Sequence, residues 1–213
     1  MELTDALRTT GAVREFTDEP VPDEVVARVL ENARFAPSGG NRQGWRVIVL
    51  RDPTLRAAVR DLYLAGWYEY LAQRAAGLTP WAPVTDRDAE AAAVAKAGEV
   101  AEAAAAGPGG FAEHLDTVPV LLVVLAVGGA SVYPFVWSVL LAAREEGLGG
   151  VLTTMPIRRE PELREVLGVP DELAVAAVVA LGHPLAALTR LRRSAVDAFT
   201  TLDRADGPTW PPS

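Results

Sequence analysis

Val118-Pro119-Val120-Leu121-Leu122-Val123-Val124-Leu125-Ala126-Val127 is the longest apolar stretch of the chain. A near-continuous run of Val and Leu reads as a strand covered on both faces. Its 10 residues, with Pro119 near the start, are too few to span a membrane. A strand of this kind needs helices above and below it, and the flanking sequence supplies them. Upstream, Pro22-Asp23-Glu24 opens a helix, because proline suits the first turn and acids favour the positive helix end. Val25, Val26, Val29, Leu30 and Ala33 then recur at helical spacing, and Pro37 and Gly39 are expected to end the element. Met1 to Thr10 forms a shorter helix with Leu3, Ala6 and Leu7 on one face. Trp45 to Leu50 is rich in strand formers, and Asp52-Pro53-Thr54 starts a helix carrying Leu55, Ala58, Val59 and Leu62.

Downstream, Tyr133 to Glu146 is a long apolar helix with Gly147 just past its end. Val151 to Thr154 is a short extended piece, Glu160 to Leu167 a small charged helix, and Leu173 to Leu181 another buried strand closed by Gly182-His183-Pro184. Tyr63 to Gly110 reads as helical, first aromatic-rich (Tyr63, Trp67, Tyr68, Tyr70, Trp81), then alanine-rich, and inserted between core elements. No two strands are joined by a tight hairpin signal. The expected class is α+β or α/β, a small central sheet covered by helices on both sides. A single domain over 1–213, with a variable helical insertion at about 63–110, follows.

Composition narrows the function. The net charge of −8 argues against a nucleic-acid partner, which needs clustered Lys and Arg. The absence of Cys excludes disulfides, thiolate nucleophiles and Cys metal sites. Met1 to Asp5 shows neither a basic n-region nor an apolar h-region, so a cytoplasmic protein without a membrane partner is expected. His114 and His183 are the only histidines, and no G-x-S-x-G, H-E-x-x-H, G-x-x-x-x-G-K-[ST] or G-x-G-x-x-G pattern occurs. A hydrolase triad, a zinc site and the common nucleotide loops are therefore not expected, and no metal is assigned.

What remains is a polar glycine loop, Ala36-Pro37-Ser38-Gly39-Gly40-Asn41-Arg42-Gln43-Gly44-Trp45, with aromatics in the middle and arginines near both ends. A chain without reactive groups of its own often lends its scaffold to a bound cofactor. Arginines suit a cofactor phosphate, since guanidinium matches phosphate oxygens in pairs.

Ala12-Val13-Arg14-Glu15-Phe16-Thr17-Asp18-Glu19-Pro20-Val21-Pro22, followed by Ala33-Arg34-Phe35-Ala36 and the glycine loop, resembles the N-terminal signature of the FMN-dependent nitroreductase family. Tyr133-Pro134-Phe135, the run Leu140 to Gly150, Leu167-Gly168-Val169-Pro170 and Leu181-Gly182-His183-Pro184 resemble that family's second half. The resemblance covers most of the chain and is weakest from Tyr63 to Gly110. It implies an α+β three-layer sandwich that forms a homodimer with FMN at the subunit interface. It further implies ping-pong transfer of electrons from NAD(P)H through FMN to a nitroaromatic, quinone or similar small-molecule acceptor. The flavin would carry the chemistry, so no protein residue is assigned as catalytic.

By the same resemblance, Arg14 approaches the N1/O2 edge of the flavin. Pro37, Ser38, Gly39, Asn41 and Gln43 cover the ring and ribityl chain. Thr153 and Thr154 lie near N5, and Arg192, with Arg190 or Arg193, holds the phosphate. Trp67, Tyr68 and Trp81 fall on the substrate side. The family pattern has one or two arginines and a serine just before Val13, where this chain has Thr10, Gly11 and Ala12. Phosphate binding then falls to Arg8 or to the tail arginines. Three alternatives stay open: a flavin-binding or sequestering protein of the same fold without turnover, a relative that uses another flavin or a deazaflavin, and a flavin-fragmenting or dehalogenating relative on the same scaffold, which no residue here selects.

Overall fold

The apolar run at Val118–Val127 forms β2 (Val120–Ala126), every residue of which is buried. It is one of four strands in an antiparallel sheet that also contains β1 (Trp45–Leu50), β3 (Gly149–Thr153) and β4 (Ala174–Gly182), in the order β1-β2-β4-β3. The computed structural model describes residues 1–186 and 191–210.

Side chains alternate across a strand, so β2 serves two cores at once. Val120, Leu122, Val124 and Ala126 pack with helices α2 (Asp23–Ala33) and α6 (Val132–Glu145), through residues such as Val29, Phe135 and Val139. Leu121, Val123 and Leu125 face the opposite layer, packing against Val59 and Tyr63 of α3 (Pro53–Ala75) and Leu163 of α7 (Glu160–Leu167). Each fully buried Leu contributes about 1.5–3 kcal/mol of transfer free energy. The result is an α+β fold of three layers, with helices on both faces of the sheet.

The register between β2 and β4 slips once. Val124 pairs with Ala177 but Leu125 pairs with Val175, leaving Ala176 as an extra residue. Strict alternation would put Val175 on the same face as Ala177; the bulge turns it to the α3 face instead.

The remaining helices are α1 (Leu3–Thr9), α4 (Arg87–Val94) and α5 (Ala97–Ala105). The Asp52 carboxylate starts α3 by accepting from the backbone N–H groups of Thr54 and Leu55 at 2.8 and 2.9 Å. α6 ends where Gly147 N–H reaches the Arg144 carbonyl and Leu148 N–H reaches Ala143, the paired bonds of a Schellman motif. α2 stops at Ala33, earlier than the Pro37 and Gly39 signals suggest. There Phe35 and Ala36 turn back onto the Asn32 and Ala33 carbonyls. Among the described residues, no helix is long and apolar enough to cross a membrane.

Candidate functional site

The segment after α1 is fastened to β3. Val13 N–H donates to the Gly150 carbonyl at 2.9 Å, and Ala12 bridges Gly150 in parallel. This contact needs a glycine opposite: a Cβ on Gly149 would lie 2.7 Å from Val13 Cγ2. The next residue, Arg14, is thereby held beside the end of β3. It is exposed and forms no ion pair among the described residues.

Arg14 opens on a cavity of about 650 Å³. β3 and the turn after it supply one wall, with Val151, Leu152, Thr153, Thr154 and Met155. α3 supplies Tyr63, Trp67 and Tyr70, spaced along one helix face, and the loop beyond it supplies Trp81. The segment Gly110-Phe111-Ala112-Glu113 closes the remaining side. The rings pack on one another: Trp67 and Tyr70 stack at 5.4 Å, Trp81 tilts against Tyr70 at 6.2 Å, and Tyr63 meets Phe111 edge-on at 6.0 Å. Burial pushes the Tyr63 hydroxyl up, while Thr153 and the Arg14 guanidinium work against that shift.

Glu113 is held at two points. Its Oε2 accepts from Gly110 N–H at 2.7 Å and its Oε1 accepts from the Tyr68 hydroxyl at 3.1 Å. Burial alone would push this carboxyl up. The Gly110 and Glu113 backbone N–H groups, the Tyr68 hydroxyl and the neighbouring His114 together bring it below the usual carboxylate range.

Of the residues nominated from sequence, Arg14, Thr153, Thr154, Trp67 and Trp81 therefore converge on one cavity. Tyr68 does not line it; its hydroxyl is turned to Glu113. The loop from Pro37 to Gln43 is also not part of it. That loop lies at the start of α6, where Gly39 N–H donates to Ser131 Oγ at 3.1 Å and Ser38 Oγ accepts from Gln43 N–H at 3.0 Å. Asn41 and Gln43 hold positive φ values of 54° and 48°. Asn tolerates that conformation, whereas Gln adopts it rarely and at a cost.

The loop and the cavity are linked along α6. Tyr133, Trp137 and Leu140 form an apolar groove with Leu152 and Thr154, and those last two residues also line the cavity. Tyr133, Trp137 and Leu152 leave large apolar surface exposed in the single chain.

The tail meets the N-terminal helix. Leu191 N–H donates to the Arg8 carbonyl at 2.9 Å, and a Cβ on Gly11 would lie 2.8 Å from Leu191 Cδ2. A glycine at this position thus leaves room for the tail. Arg192 and Arg193 follow, both exposed, and Arg190 lies outside the described residues. Thr10, the residue before Gly11, is buried with its hydroxyl unpartnered among the described residues.

Sequence reasoning missed Tyr63, Tyr70, Phe111 and Glu113 as cavity residues. The spacing of Tyr63, Trp67 and Tyr70 is a usable signal, since it puts all three on one helix face. Nothing local marks Glu113, whose hydroxyl partner Tyr68 is 45 residues away.

Comparison with known proteins agrees with this architecture. The model of the nitroreductase family matches residues 7–183. The chain belongs to the nitroreductase family. It is 29% identical over 174 residues to the NADH dehydrogenase of Thermus thermophilus, covering 81% of this chain and 82% of that one. It is also similar to a crystal structure of oxidized iodotyrosine deiodinase bound to FMN and 3-iodo-L-tyrosine, with 26% identity, a TM-score of 0.67 and coverage of 92% and 96%. The FMN and NADPH-dependent nitroreductase NfnB of Sphigopyxis sp. strain HMH aligns with 25% identity, a TM-score of 0.64 and coverage of 94% and 98%.

Proposed function

We propose that this nitroreductase-family chain is an FMN-dependent oxidoreductase. It would take electrons from NAD(P)H and deliver them to a nitroaromatic, quinone or similar acceptor in ping-pong order, as a homodimer. The observation that carries the proposal is the division of the site. Arg14, Thr153, Thr154 and the aromatic wall share one cavity, the polar loop from Pro37 to Gln43 lies apart, and the exposed α6 groove runs between them. A second copy packed on that groove through an isologous contact would bring its own loop to the cavity.

The residues present fit FMN. The cavity has the aromatic lining and the room for a flat ring, and Arg14, which forms no ion pair among the described residues, brings a cation to it. The Thr10 hydroxyl, unsatisfied among the described residues, lies four residues earlier on the same strap, and the tail reaches Arg8 there through Leu191, next to Arg192, so a phosphate would sit at this end. Bound FMN supplies hydride acceptance and electron donation at the ring. The chain's part is orientation and charge. Arg14 would favour the extra negative charge of the reduced ring, Thr153 and Thr154 would fix its height above β3, and the rings from α3 would exclude water and stack on a flat acceptor.

The test begins with the colour of purified protein after incubation with FMN, and with mass spectrometry of any cofactor released from it. A colourless protein rejects the proposal. Anaerobic bleaching by NADH or NADPH, reversed by a quinone, supports turnover; yellow protein that neither nicotinamide bleaches is a flavin-binding protein instead. A second reading, reductive dehalogenation of a halophenol, is favoured by the likeness to iodotyrosine deiodinase. Iodide release from 3-iodo-L-tyrosine by the reduced protein is its assay.

A further inference from the structure

Among the described residues lining the aromatic cavity, the charged side chains are Arg14 and Glu113. They do not pair, and both act on the Tyr63 hydroxyl, Arg14 lowering its pKa and Glu113 raising it. Under the function proposed above, on which this inference rests, the Arg14 charge is committed to the flavin. The charge left for the acceptor is the Glu113 carboxylate. Tyr68, Gly110 and its own backbone N–H fix it without neutralising it, and a carboxylate has about four acceptor sites, so acceptor capacity remains among the described residues. Its neighbours across the cavity are rings, whose faces attract cations and not anions.

We propose that Glu113 sets acceptor specificity: the cavity prefers aromatic acceptors bearing an ammonium or other cationic group and discriminates against acceptors bearing a carboxylate. An ammonium placed by Glu113 gains a charged hydrogen bond. A carboxylate in the same place meets a like charge at partial burial, where screening by water is incomplete. Glu113 acts on binding and orientation and holds no reacting atom.

The test uses the FMN-loaded protein with saturating NADPH and two nitroarenes of equal size, 4-nitrobenzylamine and 4-nitrobenzoate. The ratio of their kcat/KM values should favour the amine by about tenfold, the size of one partly exposed charged hydrogen bond. Glu113→Gln keeps the shape and the acceptor oxygen but removes the charge, so the ratio should fall close to one. In unaltered protein, raising ionic strength should shrink the same ratio, which keeps the test independent of how well the variant folds. Binding of benzylamine and benzoate, read by the fluorescence of Trp67 and Trp81, should follow the same order without any turnover. A ratio within twofold of one in the unaltered protein, or one that Glu113→Gln leaves in place, overturns the inference. Absence of turnover with every acceptor overturns the proposed function instead, and the binding order still judges Glu113.

Discussion

Replacing Arg56 by Met should cost about 3–5 kcal/mol, the net of three carbonyls that lose their donor and of the relief from burying a charge. Arg56 is buried on α3, 8% exposed, and donates to three main-chain carbonyls: Asp116 at 2.7 Å, Leu50 at 3.1 Å, and Val118. Burial pulls its guanidinium pKa down, with Arg51 adding to the shift, yet it stays charged at any ordinary pH. Its three acceptors are backbone atoms, so no side-chain replacement can remove them along with the donor. Each carbonyl left unsatisfied costs about 1–3 kcal/mol, and relief from burying a charge offsets part of the sum. At this chain length 1 kcal/mol moves Tm by about 2–4 °C, so the drop should be near 10 °C. Urea denaturation gives the free energy directly, and unchanged m-values would show that the folded and unfolded states keep their compactness. Arg56→Lys, which cannot reach all three carbonyls from one ammonium, should fall between the two. A loss below about 1 kcal/mol for Arg56→Met would refute the reasoning, because it would mean that those carbonyls find other donors.

Gly149→Ala should displace Val13 and with it Arg14, weakening FMN binding by about tenfold in a flavin-fluorescence titration; unchanged affinity would show that the strap is free to shift. Leu122→Ala in the fully buried β2 should destabilise by about 2–5 kcal/mol on chemical denaturation. Asp52→Ala removes the acceptor for two N–H groups at the start of α3 and should cost about 1 kcal/mol. In the folded chain Glu113 is held below the usual carboxylate range, so the unfolded chain binds more protons there; its contribution is present above the ordinary carboxylate pKa and fades as pH falls through the lower folded one. A double comparison of Glu113→Gln with the unaltered protein by denaturation at pH 7 and at acid pH should show the difference shrinking on the acid side.

Local signals located most elements because each was written in a single stretch. Trp45–Leu50 is bounded by Gly44 on one side and Asp52-Pro53 on the other, and the strand has those limits. β3 begins at Gly149, two residues before the Val151 at which its sequence looks extended. Two glycines carry no strand signal of their own. Their reason for being there, the press of Val13 and Leu181, exists only in the folded chain. The same limit applies to the cavity. Trp67 and Trp81 stand out as aromatics in any reading, whereas Glu113 is one acid near an alanine-rich stretch until the fold brings Tyr68 against it. Gly11 carries no packing signal of its own in the sequence, and the fold sets Leu191 against it, a contact spanning nearly the full length of the chain.

The length of α3 has a consequence for how this enzyme could diversify. Its 23 residues run from a start packed into the core at Arg56 and Val59 to a far half that faces the cavity at Trp67 and Tyr70. The first turns thus anchor the helix through Arg56 and Val59, and the later ones carry the cavity rings Trp67 and Tyr70 alongside buried Gly66, Ala72 and Gln73. Substitutions at Trp67 and Tyr70 would rewrite the guest list of the cavity while the anchoring turns keep the same purchase on the sheet. A library confined to Trp67, Tyr70 and the loop carrying Trp81 would vary the cavity lining while leaving the buried Gly66, Ala72 and Gln73 in place.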